Sequence, residues 1–335
     1  MDAKEMDAKD LMPSEEVIAS IQKDFDLYEG ERGRAVSQVS WQMPLFFFLL
    51  AIVAVVMLLF VNDFSDPSER WVSKLHIALY CGVLGGGVLA YRLGMKPATD
   101  LQQSFRAYLL PVILGFVGDV TYRHGVKPSS FARLPREATG DFTRYHFEDV
   151  ISGTYQGFPF ELYETHLKRK RHGTDTVFKG VILAFEQVTP FPGLLVATGR
   201  AGPVSQLLRG VFGGKLEEIV SGMHMLDGVY EFRTDNVEAA RPLVSGRLAQ
   251  ALESLDETWG HDPVRVALHG DDGFLLLPSA KNFFELPDIS APVDGKAYVE
   301  KTVAEMALLL AIAALVRKAG AADDTAENSA GADIP

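Results

Sequence analysis

Hydrophobic positions group the chain into stretches of different period. Val17, Ile18, Ile21, Phe25 and Tyr28 recur at helical spacing behind Ser14, which predicts an N-capped amphipathic helix over 14–29 with acids on its other face. Met43 to Val61 is nineteen residues without a charge. As a helix it would be about 28 Å long, close to the hydrocarbon thickness of a bilayer. Pro44 would fall in its first turn, where proline is tolerated. A second apolar stretch, from about Trp71 to Tyr91, includes Gly82, Gly85, Gly86 and Gly87. Gly82 and Gly86 form a small-xxx-small pair of the kind that lets two membrane helices pack closely. Asn62 to Arg70 is a short link between the two stretches, so they form a helical hairpin with both outer ends on one side.

Leu101 to Val117 reads as a further helix, with a kink expected at Pro111. From about Asp119 the pattern becomes strand-like. Val150 to Leu167 is rich in Tyr, Phe, Ile and Thr and broken at Gln156-Gly157, which predicts a β-hairpin. Strands are expected at 177–188 and 194–198, on either side of Thr189-Pro-Phe-Pro-Gly193, and another at 223–232 after the glycines 213 and 214. Val237, Ala240, Val244, Leu248, Ala251 and Leu255 predict an amphipathic helix over 237–258. Asp271-Asp272-Gly273 between 264–268 and 274–277 carries the turn signal of a second hairpin. The last helix, 297–318, has an apolar core of only eleven residues, Met306 to Val316. That is too short to span a bilayer and predicts a packed helix.

The expected fold class is therefore α+β: a two-helix transmembrane hairpin followed by a mixed sheet/meander domain with packed helices. The expected segments are an acidic N-terminal segment (1–42), the transmembrane hairpin (43–95), an α+β domain (96–319) and an acidic tail (320–335), expected to be disordered.

Charge adds a direction to this picture. The net charge is −12, which argues against a general nucleic-acid binder. Residues 1–31 hold ten acids and three bases, and 320–335 four acids and no base. The body is thus nearly neutral. Arg32, Arg34, Arg92, Lys96 and Arg106 flank the outer ends of the spans, against Arg70 and Lys74 at the link. By the positive-inside rule this places both termini and the domain in the cytoplasm, with two spans in an inner membrane. The apolar run begins too far into the chain, and is too long, for a cleaved signal peptide. The single cysteine, Cys81, excludes a disulfide framework.

The chemistry-bearing motifs are sparse. Gly210-Val-Phe-Gly213-Gly214-Lys215-Leu216 lacks the first glycine and the final hydroxyl of a phosphate loop, Arg209 and Leu216 standing there instead. No His-x-x-x-His spacing and no Gly-x-Ser-x-Gly elbow occurs. Glu164 and His166 would share one face of a strand, which a cross-strand polar pair explains better than a ligand pair. His76 lies at the link end of the second span, within reach of the interface. No metal and no cofactor is expected. Lys168-Arg169-Lys170-Arg171 puts four fixed positive charges at a strand end. Such a run is a solvated loop, or a contact for an acidic partner or for anionic headgroups at about 1 kcal/mol per base.

Phe147-Glu148-Asp149-Val150-Ile151-Ser152-Gly153, Glu161, Glu164, Phe178-Lys179-Gly180, Leu216-Glu217-Glu218, Tyr230-Glu231-Phe232 and Val237-Glu238-Ala239-Ala240-Arg241 follow one another in an order that resembles the bacterial family known as domain of unknown function 3137. The resemblance covers roughly residues 75–319. It implies a membrane-associated protein and brings no reaction and no catalytic residue. The chain thus reads as a membrane-anchored cytoplasmic domain that binds protein or lipid, with the bilayer, a protein partner or anionic headgroups as its partners. The alternative is a membrane-bound, hydrolase-like enzyme whose site assembles only in three dimensions, from Glu161, Glu164, His166 or His224.

Overall fold

The computed structural model describes residues 12–64, 71, 73–171, 173–200, 216–259 and 262–319. It is mixed helix and antiparallel sheet, with two long apolar helices followed by a sheet domain. Two compact units are present. One comprises Ser14–Leu109 with Leu286–Tyr298; the other comprises Leu110–Glu285 and the chain from Val299 on.

In the helical unit, α1 runs unbroken from Glu15 to Phe64. Ser14 is its N-cap, with Val17 N donating to Ser14 Oγ at 3.4 Å, as the sequence predicts. The amphipathic segment and the first apolar stretch are one helix, however, and Pro44 lies in its interior. Proline is tolerated inside long apolar helices when neighbouring groups and small local adjustments re-satisfy the freed carbonyl. The second helix, α2, spans Lys74–Ile113 and absorbs the separate helix expected from Leu101. Ser73 caps it: His76 N donates to Ser73 Oγ at 3.4 Å, and that hydroxyl lies 2.8 Å from His76 Nδ1. The imidazole is buried, and among the described residues its Nε2 has no hydrogen-bond partner. Residues 65–70 of the link lie outside the described residues.

Away from the apolar windows, α1 and α2 are joined by aromatic contacts and a strap. Phe105 stacks on Tyr28 and meets Phe25 edge-on, and Phe25 also packs against Tyr298. The 286–298 segment is tied down by polar bonds. Arg32 donates to Ile289 O, Gln102 to Pro287 O, and Val293 N to Glu29.

The sheet unit is organised around one long strand. The strands are β1 (Gly118–His124), β2 (Arg144–Tyr155), β3 (Phe158–Arg171), β4 (Gly173–Gly199), β5 (Glu217–Ile219), β6 (Tyr230–Thr234) and β7 (Arg265–Pro278). Their order is β1-β2-β3-β4-β6-β5, with β7 also paired to β4. One edge of β4 is taken by β7. The other is taken first by β3 and then, beyond the bend, by β6. The β2–β3 turn is at Gln156-Gly157, both at positive φ, as the sequence predicts.

Two expectations fail at the bend. The strands expected at 177–188 and 194–198 are one strand, β4. Its prolines, 190 and 192, sit where the pairing with β7 shifts register, so their missing N–H groups forfeit no ladder bond. Asp271-Asp272-Gly273 is not a hairpin turn but the matching irregularity in β7. Gln187 Nε2 donates to both Gly270 O and Asp272 O across the gap. A side chain at Gly273 would run into the Phe185 ring. The strand expected at 223–232 is a short helix, α4 (His224–Val229), followed by β6.

Consecutive residues in the strands face opposite cores. Ile151, Leu162, Leu195 and Leu275 belong to one core; Val150, Tyr163, Val196 and Leu276 belong to the other. Over the first core lie α5 (Val237–Val244), α6 (Arg247–Trp259) and α7 (Gly295–Ala319). The helix predicted over 237–258 is split where Gly246 passes close to Pro242 O. α7 buries Val303, Met306, Leu309, Leu310 and Ala313 and is the packed helix expected. The second core is covered by α3 (Arg136–Thr139) and the short helical turn Ser130–Ala132, whose Phe131, Leu134 and Ala138 pack into it.

Candidate functional site: the polar end of the sheet

Of the four residues expected to converge in an enzyme site, Glu161 and Glu164 lie on opposite faces of β3. Glu161 is on the side of Tyr163, where it binds the Ser130–Ala132 turn. Ser129 N, Ser129 Oγ and Ser130 N all donate to its carboxylate, and Arg123 pairs with it at 3.2 Å. Burial pushes its pKa up, but the hydrogen bonds from Ser130 and Ser129 prevail and hold it below the usual carboxylate value. Glu161 is therefore occupied by a structural task. His224 lies in α4, on neither β2, β3 nor β4.

Glu164 and His166 do share a face, and the cross-strand register brings further polar groups to it. Asp149, fully buried at an irregularity in β2, accepts from Tyr122 Oη at 2.5 Å and from His124 Nδ1 at 2.8 Å. The buried carboxylate holds the His124 ring in place through Nδ1. Among the described residues no serine, threonine or cysteine bonds to that imidazole. The 279–284 segment crosses these strand ends. Phe283 N donates to Glu164 at 2.6 Å, Asn282 Nδ2 to Glu148 at 2.7 Å, and Lys179 Nζ to Ala280 O at 3.2 Å.

Beyond this acidic row the sheet end turns basic. His146 pairs directly with His166, and His166 with Lys179, so three strands present these side chains in one row. Arg144 pairs with Lys168 one step further on. The basic run of the sequence belongs to this end: Lys168, Arg169, Lys170 and Arg171 are the last residues of β3, paired with Thr176, Asp175, Thr174 and Gly173. They form a strand end and not a free loop. The Arg171 side chain lies outside the described residues. Arg144, His146, Lys170 and Lys179 are exposed. Among the described residues none of Arg144, Lys168, Lys170 and Lys179 forms an ion pair. Burial, then Lys168 and Lys179, lower the His166 pKa, against the opposing pull of Glu148.

Arg144, His146 and Lys179 are members that sequence reading missed. They lie 22 and 20 residues before His166 and 13 after it. Only the strand register joins them.

In the helical unit, Gly86 faces Leu50 Cδ1, 2.7 Å from where a Cβ would be, whereas Gly82 meets nothing within 4 Å. The close approach continues through the buried Ala90 to Gly94, where a Cβ would lie 2.7 Å from Met43 Cγ. The small residues that pack thus recur every fourth position from 86 to 98, ending at the buried Ala98.

Comparison with known proteins bears on the sheet unit. Residues 176–318 match the family model described as protein of unknown function (DUF3137). The match bears out the resemblance read from the sequence, over a shorter stretch than 75–319. The DUF3137 stretch takes in most of β4 and all of β5, β6, β7 and α4–α6, and ends within α7. Lys179 lies inside it, and His146 and His166 lie before it. Among solved structures, the mycobacterial trehalose monomycolate transport factor A, TtfA, is similar with a TM-score of 0.34 and 11% identity, over 63% of this chain and 93% of that chain. No curated protein matches.

Proposed function

We propose that this chain is a membrane-anchored binding module. In this reading α1 and α2 cross an inner membrane as a hairpin, both termini face the cytoplasm, and the basic end of β2–β4 binds an anionic surface. The observation that carries the anchor is the belt of apolar side chains left bare on the two helices. Phe48, Val53, Leu59, Leu84 and Leu89 are each more than half exposed, far beyond the apolar area a water-soluble monomer leaves uncovered. Both helices are long and apolar enough to cross a bilayer. Trp41 and Tyr91 stand exposed at one end of the belt and Trp71 at the other, positions at which aromatic side chains favour the headgroup level. The anionic partner is supported by the cations at the sheet end, which form no ion pair among the described residues. Each would contribute about 1 kcal/mol beside an anionic leaflet.

Reporter fusions that fluoresce only in the cytoplasm test the topology. They should light up at residue 1 and after residue 320, and dark fusions at both would reverse it. Hydrogen exchange of the full chain in nanodiscs tests the partner. Residues 143–146 and 168–170 should be protected in nanodiscs containing phosphatidylglycerol relative to phosphatidylcholine alone. Salt should reduce the protection, because exposed charges are screened over ~8 Å at physiological ionic strength. Replacing Lys168, Arg169, Lys170 and Arg171 by Gln should abolish it. Equal exchange in both nanodiscs would refute the anionic-surface reading.

A further inference from the structure

Histidines 146 and 166 stand directly opposite each other on β2 and β3, and Lys179 is next in the row on β4. Cross-strand neighbours have Cβ atoms ~5 Å apart, and like charges placed so oppose one another. Charging the row therefore costs stability unless an anion lies between the side chains. The spacing suits one, because an oxyanion accepts at ~2.8 Å from each of two donors rising from adjacent strands. His166 Nε2 is engaged by Thr176 Oγ1 at 2.9 Å, which turns the ring and leaves Nδ1 for a ligand. Lys168 and Arg144 stand beside the row as further cations.

We propose that the His146–His166–Lys179 row binds a phosphate monoester. The proposal rests on the anionic-surface reading and names the group that the surface selects. A monoester presents three acceptor oxygens and, near neutral pH, up to two negative charges. Three donors on three adjacent strands match that number. A phosphodiester, with two free oxygens and one charge, leaves one donor of the row unmatched. The same phosphate could belong to a lipid headgroup such as phosphatidic acid or to a soluble ion.

The groups facing the histidines set a pH response. His146 and Glu148 approach from β2, Lys168 from β3, Lys179 from β4, and Asn282, which holds Glu148, from the crossing segment. A bound dianion favours the protonated form of His166, whose pKa burial and the neighbouring cations lower, so binding takes up a proton and tightens as the pH falls from 8. It weakens again below ~6, where the phosphate dianion takes up a proton and becomes a monoanion.

Calorimetric titration of the full-length protein in nonionic detergent tests this, with dihexanoyl phosphatidic acid, dihexanoyl phosphatidylglycerol and inorganic phosphate as ligands at pH 6.5 and 8.0. Phosphatidic acid should bind about tenfold more tightly than phosphatidylglycerol at pH 6.5, the scale of one charge-assisted hydrogen bond. That preference should fall at pH 8.0. His146→Gln/His166→Gln should lose both the preference and the pH response. Lys179→Gln, an exposed single change that leaves both rings in place, should weaken phosphatidic acid binding and keep the pH response. Inorganic phosphate binding as tightly as phosphatidic acid supports a soluble ligand, and much weaker phosphate binding supports a headgroup; either upholds the monoester. Equal binding of the two lipids by the unaltered protein overturns the monoester site while leaving the anionic-surface reading intact. Binding of none of the three overturns both.

Discussion

Gly94 of α2 and Met43 of α1 approach so closely that a Cβ at position 94 would lie 2.7 Å from Met43 Cγ and 3.4 Å from its Cα. The second of these contacts is with backbone, so the side chain cannot simply swing away. Gly94→Val should destabilise the hairpin by about 1–3 kcal/mol, the usual cost of overpacking. Gly82→Val, at a site with nothing within 4 Å, should change it little. Thermal unfolding of the two variants in the same detergent separates the outcomes, and equal losses would contradict the packing described.

Glu161 ties the Ser129–Ser130 backbone to β3. Its folded pKa lies below the unfolded value, held down by those bonds against burial. Its contribution is therefore fully present above the unfolded pKa, ~4.3, and is lost as the pH falls through the folded value. Glu161→Gln removes the charge and presents an NH2 group to donors. The variant should unfold more easily at pH 7, by about 1–3 kcal/mol. It should also lose less stability than the parent between pH 5 and pH 3, which denaturant titrations at those values would measure.

Glu305 has the opposite sign. Burial raises its pKa, with Lys301 and Lys281 only partly offsetting it, and among the described residues its buried Oε2 has no hydrogen-bond partner. The ionised form is penalised in the folded state, so this residue subtracts stability above its raised pKa and ceases to do so on acidification. Glu305→Gln should raise the unfolding midpoint at pH 8 and leave it nearly unchanged at pH 4. A loss of stability at pH 8 would show that the carboxylate is better satisfied than its surroundings suggest.

Cys81 is exposed on α2, within the apolar belt between Trp71 and Tyr91. If that belt lies in lipid, the thiol is kept from water and from reagents dissolved in it. A polar maleimide should leave it unlabelled in intact membranes and label it fully after denaturation. Rapid labelling in membranes would place α2 outside the bilayer.

What the sequence revealed, and what it hid, follows from the range of the interactions involved. Ser14, Gln156-Gly157 and the apolar core of α7 act within a few residues, and each was legible from local pattern. Asp271-Asp272-Gly273 has the local chemistry of a turn but lies opposite the bend of β4, where Gln187 and the pairing on both sides keep β7 running straight on. The prolines at 190 and 192 suggested a break for the same reason and mark only an irregularity. At the candidate site, the Lys168–Arg171 run was visible because its members are adjacent. Arg144, His146 and Lys179 were not, because only the register of three strands brings them beside His166.

The continuity of α1 has a mechanical consequence. Fifty residues of unbroken helix make a shaft ~75 Å long. Phe48 near one part of it and Tyr28 near the other are locked to a common rotation. With the apolar part in a bilayer, as proposed above, a change in bilayer thickness that tilts or turns it would turn Phe25 and Tyr28 through the same angle, against Phe105 and the 286–298 strap that grips them. Each residue advances the helix by about 100°. Deleting one residue between Arg34 and Met43 would swing the aromatic grip out of phase with the bare apolar side, with no side chain in either contact altered.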